Sequence, residues 1–107
     1  MMVTPSATVA GYRIKKTLGL VRGNTIRARH IGRDITAVLK NMVGGEIEEY
    51  TKMMGESREQ ALDRLVAAAQ GLGADAVVDV RFGTSYVMGS AAEILAYGNA
   101  VTLEKEG

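Results

Sequence analysis

The 107-residue sequence has no cysteine and no tryptophan, and it contains one phenylalanine, one proline and one histidine. Without thiols the chain can form no disulfide, no thiolate metal site and no cysteine nucleophile. It also lacks a run of about eighteen apolar residues, so no transmembrane helix is predicted. Its first residues have no apolar stretch after a basic start, unlike a secretory signal. We therefore expect a cytoplasmic protein with no membrane contact.

Catalytic signatures are missing as well. The sequence contains neither G-x-S-x-G nor H-E-x-x-H, and a Cys/His pair cannot form. Its adjacent acids, such as Glu48 and Glu49, are of the kind that normally face solvent on a helix surface. We expect the protein not to be an enzyme.

Charge is distributed unevenly along the chain. Residues 1–40 carry eight basic groups and one acidic group, a net charge of +7. Residues 41–107 carry five basic and eleven acidic groups, a net charge of −6. Two explanations are open: the basic half binds an anionic partner, or the two halves meet within or between subunits. We favour the second.

A long amphipathic helix is predicted for Glu46–Leu72. Its apolar residues recur mostly three or four positions apart, which is the period of a helix with one buried face. The predicted stripe is Ile47, Tyr50, Met54, Ala61, Leu65, Ala69 and Leu72. Gly55 is its weak point, and Ser57 followed by Gln60 resembles a capping box that would start a second helix there. Gly73 suits the left-handed residue that ends a helix.

Period-two patterns predict strands on both sides of this helix. Extended segments are expected at Met2–Thr4, Tyr12–Arg29, Ala76–Val87 and Ala91–Leu103. Gly19 is predicted to mark a bulge, and Gly23-Asn24 is either a turn or another bulge. The last two segments are predicted to form an antiparallel hairpin around Met88–Ser90. A shorter helix is predicted for His30–Met42.

Both faces of the last predicted strand are apolar or small. Leu95, Tyr97, Val101 and Leu103 share one face; Ile94, Ala96, Ala100 and Thr102 share the other. One layer of helices cannot cover two apolar faces of a sheet, so the second face is predicted to meet another subunit. The sequence thus predicts one α+β domain, residues 1–107, with an antiparallel sheet and two helices.

Several segments together resemble the YbjQ-like family, which carries a heavy-metal-binding label. They are Arg33-Asp34, Gly44-Gly45, the long acidic helix, Leu72–Val78 with the sequence LGADAVV, and Gly98–Val101. The resemblance covers nearly the whole chain, and LGADAVV is its most specific part. It implies an α+β fold of the dodecin-like group, assembled as a homo-oligomeric ring, most often a pentamer. It implies no established reaction or ligand.

The metal label directs attention to the one histidine. His30 and Asp34 lie four residues apart and would share a helix face, so they are the metal-ligand candidates. A lone histidine beside arginines is more often a surface group, and symmetry would have to multiply it around a ring axis. Whether any metal cofactor is bound stays open.

Anion binding is the other chemical alternative. Arg27, Arg29 and Arg33 are its candidates, since they lie at the end of the basic half near a helix start. Nucleic acid is disfavoured as a partner because only 5% of the residues are aromatic and no recognition motif is present.

Three charged residues lie inside apolar strand patterns. Asp79, Arg81 and Glu93 are predicted to be buried charges at a subunit interface, with Arg81 as the partner of either acid, because a buried charge needs a counter-charge. The sequence therefore predicts an uncharacterised cytoplasmic homo-oligomer, a pentamer by resemblance, with a small-ligand-binding or scaffold role. A heavy-metal-binding module and an anion or nucleic-acid binder are the alternatives.

Overall fold

The computed structural model describes residues 1–28, 45–87 and 91–107. Within these ranges the chain forms one helix and four strands. They are β1 (Met2–Val3), β2 (Tyr12–Ala28), α1 (Gly45–Gly71), β3 (Ala76–Val87) and β4 (Ala91–Lys105). The helix predicted for His30–Met42 and the turn predicted at Met88–Ser90 lie outside the described residues.

The strands form one mixed sheet in the order β1-β3-β4-β2. The predicted hairpin is confirmed, since β3 and β4 are antiparallel, and β2 is antiparallel to β4. The prediction of a wholly antiparallel sheet is wrong, because β1 runs parallel to β3. The chain after β1 continues along β3: the Thr4 amide donates to the Val77 carbonyl at 3.0 Å, and the Val80 amide donates to the Thr4 carbonyl at 3.1 Å.

Helix α1 runs without a break through Gly55. Ser57 does not cap a second helix, because its hydroxyl donates to the Met53 carbonyl one turn earlier, at 2.9 Å. The Thr25 hydroxyl of β2 donates to the Ser57 carbonyl at 3.1 Å, and both Thr25 and Ser57 are buried. This contact ties the helix to the sheet beside Gly55 and offsets the low helix propensity of glycine. No helix among the described residues combines the length and apolarity that crossing a membrane requires.

The core lies between α1 and one side of the sheet. Ala61, Leu65 and Ala69 are fully buried, as their spacing predicts, and they pack against side chains of β2, β3 and β4. Leu72 departs from the predicted stripe: it lies beyond the end of the helix and is 51% exposed. Gly73 ends the helix as predicted, with φ of 77°.

The period-two pattern of β3 predicts that Val78, Val80 and Phe82 share one face of the strand, and a bulge makes this prediction wrong. The register of β3 with β4 shifts between Val78 and Arg81, and Asp79 has a left-handed φ of 55°. Val80 therefore joins the core under the helix, whereas Val78 packs on the other side of the sheet. Phe82 is 48% exposed, because α1 lies over β2 and β4 and leaves this part of β3 uncovered.

The molecule is elongated. Its principal dimensions are 56 × 23 × 16 Å and its radius of gyration is 17.1 Å. A compact domain of this length would have a radius of gyration of about 13 Å. Seventeen residues of β2, at about 3.3 Å each, account for the long dimension.

Candidate functional site

The side of the sheet that faces away from α1 is the candidate site, and we call it the open face. Directly opposed residues of antiparallel strands point to the same side of a sheet. Tyr97 of β4 opposes Arg22 of β2 and Arg81 of β3, so these three form one row across the open face. Leu95 forms the next row with Asn24 and Gly83.

The N-terminal segment covers one end of the open face. Val9 and Leu103 pack there against a second small core formed by Ala76, Val78 and Val101. The Asp75 carboxylate supports this end by accepting a hydrogen bond from the Leu103 amide at 2.8 Å. The division of β4 into two apolar faces, predicted from its alternation, is therefore confirmed.

The open face nevertheless exposes apolar side chains to solvent, at this end and beyond it. The exposed residues are Tyr12 (43%), Ile14 (37%), Leu20 (65%), Ile26 (58%) and Tyr97 (38%). Four of the five lie on β2, an edge strand. A surface of this kind marks a contact site more often than a solvated face.

Glu93 lies half-buried in this face. Its carboxylate accepts hydrogen bonds from the Asn24 amide and the Ser85 hydroxyl, each at 3.3 Å. Because it lies four residues from Tyr97 along β4, about 13 Å away, it is far from the row that contains Arg81. Among the described residues, neutral groups from both neighbouring strands thus bind this acid.

Asp79 and Arg81 are held by the N-terminal segment. The Asp79 amide donates to the Ser6 carbonyl at 2.9 Å, and Nη1 of Arg81 donates to the carbonyls of Pro5 and Val80, both at 2.9 Å. Arg81 is exposed, and Asp79 is half-buried. Their burial at a subunit interface, together with Glu93, stays a prediction.

The ion pair found among the described residues joins other side chains. Nη2 of Arg13 lies 2.8 Å from a carboxylate oxygen of Glu104, and both groups are solvent-exposed. Such a pair contributes about 0–1 kcal/mol to stability.

The metal and anion candidates lie largely beyond the described residues. His30, Asp34, Arg29 and Arg33 fall outside them, and of Arg27 the structure gives the backbone, which pairs with Ala92 in the sheet. Within the described ranges, no three His, Cys, Asp or Glu side chains are grouped closely enough to hold a metal ion. The described residues alone therefore do not fit a metal centre.

Sequence reasoning missed two exposed apolar residues of the open face, Leu20 and Ile26. The signal was available: Leu20, Arg22, Asn24 and Ile26 alternate along β2 and so share one face. The Gly23-Asn24 pair obscured it by suggesting a turn. Both residues in fact continue the strand.

A family model described as "Putative heavy-metal-binding", for YbjQ, matches residues 1–104. The chain belongs to the YbjQ family. The match spans nearly the entire sequence and confirms the resemblance found in the LGADAVV segment and its companions. The description applies to the family model. In this chain, the candidates for metal ligands from the sequence are His30 and Asp34.

Relatives in the same family are similar over almost their full lengths. A UPF0145 protein of Methanococcus vannielii is 58% identical over 105 residues, which cover 98% of this chain and 100% of the relative. A UPF0145 protein of Dehalococcoides mccartyi strain BAV1 is 57% identical over 104 residues, covering 97% and 100%. A third, from Thermococcus kodakarensis, is 56% identical over 106 residues, covering 99% and 94%.

A solved structure supports the fold. The chain resembles the crystal structure of a protein with unknown function from Pediococcus pentosaceus ATCC 25745, which belongs to the DUF74 family. The TM-score is 0.65 over 97% of this chain and 98% of that one, at 19% sequence identity. At this identity the similarity establishes the shared fold alone.

Proposed function

We propose that this YbjQ-family chain is the subunit of a cytoplasmic homo-oligomeric ring, a pentamer of dodecin-like type, with a small-ligand-binding or scaffold role and no reaction of its own. The observation that carries the proposal is the open face, with its five exposed apolar side chains. The open face of a second copy carries the same apolar side chains, so the two surfaces match in chemistry.

The shape of the chain supports this proposal. Its accessible surface is 6751 Å². A globular monomer of 11.4 kDa exposes about 5,800 Å². The excess of roughly 1,000 Å² is comparable to the area of about 800 Å² that each partner buries in a standard interface. Association with other copies of the chain would bury this excess surface.

Native mass spectrometry of the freshly purified protein tests the proposal. We expect a species of about 57 kDa, five times the subunit mass of 11.4 kDa, and the adducts it carries will identify a bound ligand. Elemental analysis of the same sample reports metal. A clean monomer at micromolar concentration would refute the assembly and with it the role of the open face.

Metal binding is the second candidate, and the family description favours it. With no cysteine and one histidine, a site for a transition metal in this chain must draw on His30 and on carboxylates such as Asp34. If so, metal that copurifies with the protein is lost from a His30→Ala variant, measured by elemental analysis, while the assembly mass is unchanged. Metal retained by that variant at the wild-type ratio would exclude His30 as an essential ligand.

Anion binding by Arg27, Arg29 and Arg33 stays a prediction. It is supported by the composition of β2, in which five basic residues occur and no acidic one. An anionic adduct in the native spectrum would favour this role over a pure scaffold.

A further inference from the structure

Two features at opposite edges of the sheet match each other. At one edge, Phe82 projects from β3 on the side that carries α1, and 48% of it is exposed. At the other edge, a hollow of about 450 Å³ lies between the end of α1 and β2. We call it the edge hollow; it is lined by Leu20, Val21, Arg22, Ala68 and Leu72.

We propose that Phe82 of one copy inserts into the edge hollow of the next, so that neighbouring subunits join β3 to β2 edge to edge. The inference rests on the proposed self-assembly and adds a contact between sheet edges to the one proposed for the open face. Its partner is a second copy of this chain.

The chemistry of the two features is complementary. The hollow has apolar walls from Leu20, Val21, Ala68 and Leu72, two of which are more than half exposed: Leu20 at 65% and Leu72 at 51%. A benzene-sized ring fills an apolar cavity of about 150 Å³, so the hollow has room for a phenyl ring and part of the strand that bears it. Buried aromatic anchors of this kind commonly dominate interface energies.

The position of the two features suits a ring. Phe82 and Gly23 both oppose Ala96, so they lie in one row across the sheet. The hollow residues Val21 and Arg22 are two positions and one position from Gly23, within about 7 Å along the strand. Phe82 thus lies at a height similar to that of the hollow, and on the side of the sheet where Val21, Ala68 and Leu72 line it, whereas Leu20 and Arg22 line the hollow from the edge of β2. Rotation about an axis parallel to the strands preserves both properties.

Among the described residues, part of the backbone at each edge of the sheet has no neighbouring strand. β2 is the terminal strand of the sheet, and β1 pairs with β3 only at Ala76 and Val77. Among the described residues no strand lies beside Arg81–Val87. Such unpaired edges add strands from a neighbour readily. Because Phe82 and the edge hollow are different surfaces, the contact is head-to-tail. Such a contact closes into a ring when the rotation between subunits divides a full turn evenly, and it does not form a two-fold dimer.

The absence of native cysteine allows a direct test by disulfide trapping of full-length protein. The variant Phe82→Cys plus Ala68→Cys places thiols on the two features. In one chain these positions are separated by the width of the sheet, beyond the 7 Å or so between Cα atoms that a disulfide permits. On oxidation we expect a ladder of covalent multimers on a denaturing gel, ending at the size of the native ring.

The control is Phe82→Cys plus Ile26→Cys, since Ile26 is also an exposed residue of β2 but belongs to the open face. We expect a yield of multimers roughly tenfold lower from it, because Ile26 faces away from α1 and lies four residues along β2 from Arg22, the nearest hollow residue, about 13 Å away. Phe82→Cys alone should give no multimers. Dimers from that single variant would indicate a two-fold contact and overturn the inference.

The two proposals fail separately. If the wild type and the Phe82→Cys plus Ala68→Cys variant are both assembled by native mass spectrometry, and the variant gives no ladder, the edge contact is overturned and the homo-oligomer stands. A variant that keeps its fold but no longer assembles supports a place for Phe82 in the contact. A monomeric wild type overturns both. Far-UV circular dichroism of each variant establishes that its fold is intact before oxidation.

Discussion

Replacing Gly23 by alanine is expected to lower the free energy of unfolding by about 3 kcal/mol or more, a large share of the 5–15 kcal/mol that typically stabilises a domain. A Cβ at Gly23 would overlap the Ala61 carbonyl oxygen and the Leu65 amide nitrogen, and it would lie 2.8 Å from Cβ of Arg64. Helix backbone cannot move aside as a flexible side chain does. The helix must therefore lift from β2 or the strand must bend.

The consequences of a lifted helix extend beyond the clash itself. Gly23 lies where α1 crosses β2, and the neighbouring Ala61 and Ala96 are fully buried because the two layers approach closely there. Separating the layers would also stretch the hydrogen bond from Thr25 to Ser57. Packing and a buried hydrogen bond are lost together.

Gly83→Ala is the matched control. Gly83 is also a strand glycine with no left-handed φ, yet no atom lies within 4 Å of the position its Cβ would take. Its unfolding free energy should stay within about 0.5 kcal/mol of wild type. Urea denaturation of all three proteins at one concentration measures the difference, since assembly makes stability concentration-dependent. Coincident midpoints for Gly23→Ala and Gly83→Ala would contradict the close approach of α1 to β2.

The long helix was predictable because its signal is local and repeated. The predicted bounds, Glu46 and Leu72, each differ by one residue from the observed Gly45–Gly71. Apolar residues recur with helical period over seven turns, and Gly73 supplies the left-handed residue at the end. The β3–β4 hairpin is likewise encoded by two adjacent alternating runs.

The bulge in β3 was not predictable, because distant residues create it. At Gly98 a Cβ would lie 2.8 Å from the Val78 carbonyl oxygen, so the glycine of β4 leaves room for the displaced chain. Ser6, more than seventy residues away in sequence, accepts the hydrogen bond from the Asp79 amide. An aspartate with positive φ therefore depends on two tertiary contacts that no local pattern contains.

Part of the candidate site was predictable, because its signal in β4 is local, like that of the helix. The alternation in β4 identifies an apolar face opposite the helix, and Tyr97 lies on it. Which strand extends that face depends on sheet order, and the parallel β1 and the edge position of β2 arise from long-range pairing. The exposed Leu20 and Ile26 follow from that order, as does Phe82 at the opposite edge.

Replacing Tyr97 by aspartate is expected to convert the assembled protein into a folded monomer. Tyr97 is 38% exposed at the centre of the open face, so the substitution empties no core position. In the monomer the new carboxylate would lie between Arg22 and Arg81, its direct neighbours across the strands. Opposite charges in such positions contribute roughly 0.2–1 kcal/mol, so the isolated subunit tolerates the change.

In the assembled protein the same substitution becomes unfavourable. If another copy covers the open face, the carboxylate and the two guanidinium groups must all lose their water. Nη1 of Arg81 already donates hydrogen bonds to the carbonyls of Pro5 and Val80, so Arg81 can replace only part of the water lost by the new carboxylate. An incompletely paired buried charge costs about 3–5 kcal/mol, more than a hundredfold in subunit affinity.

Native mass spectrometry and circular dichroism of Tyr97→Asp, with Tyr97→Phe as control, measure this effect. The phenylalanine variant keeps the ring and its apolar area, so it should assemble like the wild type. We expect the aspartate variant to run as a monomer with an unchanged far-UV spectrum. An intact assembly would show that Tyr97 is outside any essential interface, and the open face would then border a solvent-filled lumen, where a carboxylate beside two arginines costs little.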